Sequence, residues 1–119
     1  MISLLAAAFR EGRPFSLEGD GGQTRDFIAV ADVARANLLA LTRPVTGSHV
    51  VNVCTGHATS LMHVITAMGK ICGRPLNLGR RPPREGDIRD SLGSPAAAEA
   101  LLEFRSKLPV ETGLRAFME

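Results

Sequence analysis

Gly19-Asp20-Gly21-Gly22-Gln23-Thr24-Arg25-Asp26-Phe27-Ile28-Ala29-Val30-Ala31-Asp32-Val33-Ala34 is the stretch that decides the fold. Gly19 to Gly22 reads as a tight turn, because glycine adopts positive φ without steric cost and aspartate tolerates the same corners. Phe15 to Leu17 stands on one side of it and Arg25 to Val30 on the other, so the pattern predicts a hairpin whose second arm begins with a cation. A helix is expected to start near Asp32, its carboxylate capping the first free N–H groups. An arginine at the base of a short apolar strand is poorly placed for a core and well placed for an anion. Its planar fork matches phosphate oxygens.

Working outward, strands and helices alternate. Ile2 to Phe9 is apolar on nearly every side and stops at Gly12, with Pro14 beyond. Asp32 to Leu41 forms a second helix, interrupted only by Arg35 and Asn37 and ended by Pro44. Val50, Val51 and Val53 make a β-branched run between Gly47 and Gly56, the pattern of an interior parallel strand. Leu61, Val64, Ile65, Met68 and Ile71 recur at helical spacing, with Thr59 or Ser60 as the cap and Gly73 then Pro75 at the end. Leu76 to Leu78 suits an edge strand, and Arg80 to Ser91 a charged, Pro-rich loop. Ser94-Pro95 opens a helix to Phe104, and a last short helix runs from Val110 to Phe117. These elements predict an α/β class and a single domain over residues 1–119. The first two helices have almost no polar face. Either the chain self-associates through them, or the body they pack against is supplied from elsewhere.

Composition narrows the functional classes. With 45% hydrophobic residues the chain is globular rather than disordered. A net charge of +2, and aromatics that are all Phe, offer neither a field nor stacking platforms for nucleic acid. No segment reaches the roughly 20 apolar residues of a membrane span, and the apolar start lacks a basic leader, so a cytoplasmic protein is expected. Cys54 and Cys72 lack C-x-x-C spacing and read as buried free thiols in a reducing compartment. His49, His57 and His63 are too scattered to hold a metal, and no nucleophile constellation is visible.

The string GDGGQTRDFIAVADVARAN resembles the GDG-x-Q-x-RDF-x-x-V-x-DVA segment of the NAD-dependent epimerase/dehydratase family, extended short-chain dehydrogenases of the UDP-glucose 4-epimerase type. Val51 to Gly56 followed by Thr59-Ser60-Leu61 is similar to the family's YN-x-GTG…-S-L element. Arg81 to Arg89 is similar to its R-x-GD-x loop, and Pro95 to Gly113 to its closing helices. The resemblance implies a substrate-binding C-terminal portion: the chain has no tyrosine for a Tyr-x-x-x-Lys pair and no Gly-rich turn joining a strand to a helix. It further implies that the whole enzyme carries NAD on its Rossmann half, with none expected on this chain alone. The partners implied are a nucleotide-sugar and that absent half.

Residue by residue, the resemblance puts Arg25 on the diphosphate. Residue type alone favours an ion pair with Asp26 or Asp20 instead. Arg84 and Asp87 match the loop positions that hold the nucleotide, the cation for phosphate and the carboxylate for ribose hydroxyls. Leu17 and Glu18, on the arm Phe15 to Glu18, would offer backbone groups to the base; Glu18 stands where relatives carry an aromatic residue. Arg80, Arg81 and Arg89 read as solvated, and no catalytic residue is expected. The alternative is a non-enzymatic nucleotide-binding or protein-interaction module, or one half of a split enzyme.

Overall fold

The computed structural model describes residues 1–119. In chain order the elements are α1 (Ile2–Glu11), β1 (Phe15–Glu18), β2 (Thr24–Arg25), α2 (Val30–Thr42), β3 (Thr59–Ser60), α3 (Leu61–Cys72), β4 (Leu78–Arg81), α4 (Ala96–Leu102) and α5 (Val110–Met118). The class is α/β, as the alternation predicts. The strands form two separate pairs. β1 runs parallel to β4, with Phe15 opposite Leu78 and Glu18 opposite Arg81. β2 runs antiparallel to β3, with Thr24 opposite Ser60 and Arg25 opposite Thr59.

The expected hairpin is therefore not formed: β1 and β2 do not pair with each other. The glycine turn hands the chain from one sheet to the other. Gly19 N–H donates to Arg81 O at 3.0 Å, while Gly21 O and Gln23 O accept from Met62 N and Leu61 N at 2.9 and 3.0 Å. With its backbone groups engaged by β4 and by the start of α3, the turn cannot close on itself. Gly21 needs to be glycine here, since φ is +80° and a Cβ would sit 3.1 Å from Leu17 and 3.2 Å from Met62.

Two clusters make the core. The larger joins Leu5 and Phe9 of α1, Leu17 of β1, Val64 and Met68 of α3 and Leu114 of α5. The smaller joins Ala36 of α2 to Ala98, Leu102 and Phe104, with Ile28, Val51 and Val53 leaning on it. α1 ends at a left-handed Gly12, and α3 is capped by Ser60, whose Oγ accepts from His63 N, and ends at a left-handed Gly73. Burial of Leu5, Ala6, Ala8 and Phe9 shows that α1 finds most of its cover within the chain.

Other elements also differ from expectation, and β2 stops at Arg25 instead of running on to Val30. α2 begins at Val30, so Asp32 lies inside the first turn and does not cap it. α4 is capped at Pro95, with Ser94 Oγ only 3.5 Å from Ala96 N, and it stops at Leu102 because Glu103 adopts a left-handed φ of 54°. β4 extends over Arg80 and Arg81, which parallel pairing with β1 draws out of the loop. Val50 to Val53 is not a strand: its backbone makes no hydrogen bond, and Val50 is 96% exposed. An interior parallel strand needs neighbours on both sides, and none of these strands lies beside it.

The molecule is thin, 50 × 33 × 16 Å, with a radius of gyration of 16.5 Å, against about 13–14 Å for a compact domain of this length. Its accessible surface is 7734 Å², against about 6,200 Å² for a folded monomer of this mass. Part of that surface lies along α2. Only Asp32 and Ala36 of that helix are buried, and Val30, Leu38 and Leu41, which share roughly an 80° face at 3.6 residues per turn, are 83%, 60% and 84% exposed.

Candidate functional site

Because β1 lies beside β4, the glycine turn after β1 faces the loop after β4. Between them is an open cavity of about 400 Å³ whose wall carries no hydrophobic residue. Arg80, Arg81, Arg84 and Arg89 stand there against Glu18, Asp20 and Asp87. Asp20 is held by Gly22 N–H at 2.8 Å and by Arg89 at 3.4 Å. That N–H first, and then the Arg89 charge, keep its carboxyl below the usual carboxylate range. The Arg84 side chain is exposed and makes no ion pair. Arg80 and Arg81, on the same wall, likewise make no ion pair, so three guanidiniums there are of a kind that can bind an anion.

Arg25 reaches this loop from β2. Its Nη1 donates to Thr24 O at 2.7 Å and to Arg89 O at 3.2 Å, and its Nη2 to Asp87 Oδ1 at 3.0 Å. The partner is thus neither Asp26 nor Asp20, as residue type suggests, but a loop carboxylate 62 positions away. Asp26 points the other way, as successive residues of an extended chain do. It accepts from Thr55 N and Gly56 N, both at 2.8 Å, and from Thr55 Oγ1 at 2.6 Å. The RD dipeptide therefore splits its work: Arg25 faces the cavity loop, and Asp26 ties β2 to the turn before β3.

The structure brings Glu18, Arg84 and Asp87 to one cavity and joins Arg25 to it through Asp87. Leu17 differs: its side chain is buried in the larger core, so only its backbone is on offer, opposite Arg80 in the strand pair. Arg80, Arg81 and Arg89 are exposed, yet they belong to the same cavity wall, which the loop reading does not reveal. The strand pairing that places them links residues far apart in sequence.

Asp32 is the residue whose role the sequence hides best. Its side chain is 3% exposed and pairs with Arg35 at 2.8 Å. Its second oxygen accepts from Ser106 Oγ, Lys107 N and Leu108 N at 2.8, 2.9 and 3.1 Å. Burial alone would raise its pKa, but Arg35, the Ser106 hydroxyl and these two N–H groups together outweigh it and bring it to about 2. Asp32 is an anchor for the 106–108 loop. Elsewhere His63 Nε2 meets Glu111 at 2.7 Å across α3 and α5, and no group of His, Cys, Asp and Glu could hold a metal ion. Cys54 is buried, and burial first, then the Asp26 charge, pushes its thiol up; Cys72 is half-buried, contrary to the expected pair of buried thiols.

Residues 1–54 match the model of the NAD dependent epimerase/dehydratase family. The UDP-glucose 4-epimerase of Mycolicibacterium smegmatis is 31% identical over all 119 residues, which span 38% of that protein. The UDP-glucose 4-epimerase of Bifidobacterium longum is 32% identical over 77% of this chain and 27% of its own. Among solved structures, MoeE5 in complex with UDP-glucuronic acid and NAD superposes with a TM-score of 0.89 at 34% identity, covering 95% of this chain and 38% of that one. The Thermotoga maritima UDP-glucose 4-epimerase with UDP-glucose gives 0.88 at 31% identity, over 96% and 36%. The chain belongs to the NAD-dependent epimerase/dehydratase family. It spans 24–38% of the length of the curated family members it matches.

Solved relatives such as MoeE5 hold NAD. The one glycine cluster links β1 to the two-residue β2 and opens no helix, so it cannot aim a helix N-terminus at a pyrophosphate. No helix is long and apolar enough to cross a membrane.

Proposed function

We propose that these 119 residues are the nucleotide-sugar grip of an epimerase/dehydratase-family enzyme, holding a UDP-sugar-like substrate by its diphosphate. The observation that carries this reading is the free Arg84 guanidinium facing a polar cavity of about 400 Å³ beside the Arg25–Asp87 pair. Arg84 and Arg25 take the phosphate oxygens, Asp87 accepts from the ribose hydroxyls, and the β1 backbone at Leu17 and Glu18 lies at the base end. The family relatives and structures that bind UDP-sugars support this reading, as do the matching motifs. Binding energy from the nucleotide, remote from the reacting carbon, then positions the sugar for hydride transfer. That transfer uses NAD and a tyrosine–lysine pair supplied by residues beyond these 119.

The bare α2 face and the unpaired Val50–Val53 backbone favour a further statement: a second body covers this flank, whether as part of one longer enzyme or as the other half of a split one. A non-enzymatic module would need the same cover. The test is calorimetric titration with UDP-glucose beside a turnover assay containing NAD. Saturable binding without turnover is expected. Turnover by the 119 residues, or no binding, overturns the reading.

A further inference from the structure

Arg25 is already occupied. One arm of its fork, Nη2, is held by the Asp87 carboxylate, from the loop that lines the cavity, and further bonds hold that loop to β2. Thr24 N donates to Arg89 O at 2.9 Å, Ser91 N donates to Thr24 O at 3.2 Å, and Thr24 Oγ1 donates to Asp90 Oδ1 at 2.6 Å. Arg25 Nη1 adds its bond to Arg89 O at 3.2 Å. Through the three Thr24 bonds, residues 89–91 are therefore strapped to β2 by groups that no ligand replaces. The Asp87–Arg25 contact differs, because it joins two charged side chains, 41% and 27% exposed, of which Asp87 lines the cavity. It can be broken without releasing the strap.

We propose that Asp87 is a specificity residue: it stands in for the phosphate on Arg25 and is handed to the ribose when a nucleotide arrives. The proposal rests on the nucleotide-grip reading above. A bare inorganic anion must displace Asp87 from Arg25 and leave that carboxylate without a partner beside the incoming negative charge. A nucleoside diphosphate displaces it equally, but brings hydroxyl donors that the released carboxylate accepts from. The pair thus selects against phosphate and pyrophosphate, which share the charge but lack the hydroxyls. Discrimination comes from the penalty imposed on the wrong ligand.

The size of the effect follows from the pair's exposure. A partly exposed ion pair contributes modestly, so releasing Arg25 in advance should gain about two- to fivefold in anion affinity. Asp87→Asn is isosteric and sits on an exposed loop, so its fold is retained. The test is calorimetry on the 119-residue chain with two probes, inorganic pyrophosphate and UDP. Asp87→Asn should bind pyrophosphate about two- to fivefold more tightly and UDP no more tightly than wild type, so the UDP-to-pyrophosphate preference falls. Asp20→Asn removes the same charge from the same cavity wall without touching Arg25, and should move both probes together. An equal shift of both probes in Asp87→Asn, or the same preference change in Asp20→Asn, overturns the proposal and leaves the grip standing. If the wild-type chain binds neither probe, the grip is overturned and the handover with it.

Discussion

At the scale of the residue, the two aspartates that follow Arg25 are anchors, and the Asp32 anchor has a measurable consequence. The pKa of Asp32 falls from the ordinary 3.8 to about 2 in the folded chain. A depressed folded value means that its stabilisation is fully present above the unfolded pKa and is lost as pH falls through the folded one, between about pH 4 and pH 2. At neutral pH the contribution is on the order of 2 kcal/mol. Asp32→Asn should therefore be clearly less stable than wild type at pH 7 by urea unfolding, with the gap closing toward pH 2. A gap that is independent of pH would show that the charge is not what Asp32 contributes. Gly93 offers a packing counterpart: a Cβ there would lie 2.7 Å from Cys54 Sγ. Gly93→Ala should lower stability by about 1–3 kcal/mol, read from the same urea curves, through overpacking. Arg25, Arg84 and Asp87 stand out in the sequence through their motifs, and the structure puts Arg84 and Asp87 on one cavity with Arg25 paired to Asp87. Asp26 and Asp32 are not, because their partners at Thr55 and at Ser106 to Leu108 become neighbours only in the folded chain.

Elements were legible wherever local chemistry decides them. The apolar spacing of α3, its Ser60 cap and the glycine ends of α1 and α3 are set by nearest neighbours along the chain. The hairpin failed because pairing is a long-range choice: Phe15 selects Leu78, and Thr24 selects Ser60. The valine run is the instructive case. Its composition asks for sheet neighbours, and none of the strands here lies beside it, so its backbone is unpaired. Hydrogen exchange should therefore be fast at the amides of Val50, Val51 and Val53 and slow in the middle of α3, around Val64 to Met68. Protection of the valine amides in the chain alone would contradict the unpaired description.

For the whole molecule, excess surface and a bare helix face predict association. An exposed flank carrying Val30, Leu38 and Leu41 should drive concentration-dependent self-association, and Leu41→Glu should shift sedimentation equilibrium toward the monomer. A strict monomer at every concentration would show that the flank is tolerated bare. The proposed nucleotide grip is built from other residues, between the β1 turn and the β4 loop, so it can be tested separately. The most direct measurement is UDP-glucose affinity by calorimetry for wild type, Arg84→Ala and Arg81→Ala, since both arginines line the same cavity and only Arg84 has the loop motif behind it. Loss of a charge-assisted hydrogen bond in Arg84→Ala should weaken binding about ten- to a hundredfold, with Lys restoring it only in part. Arg81→Ala should be nearly silent, whereas equal losses at Arg81 and Arg84 would reduce the cavity to a general positive field and contradict the specific grip.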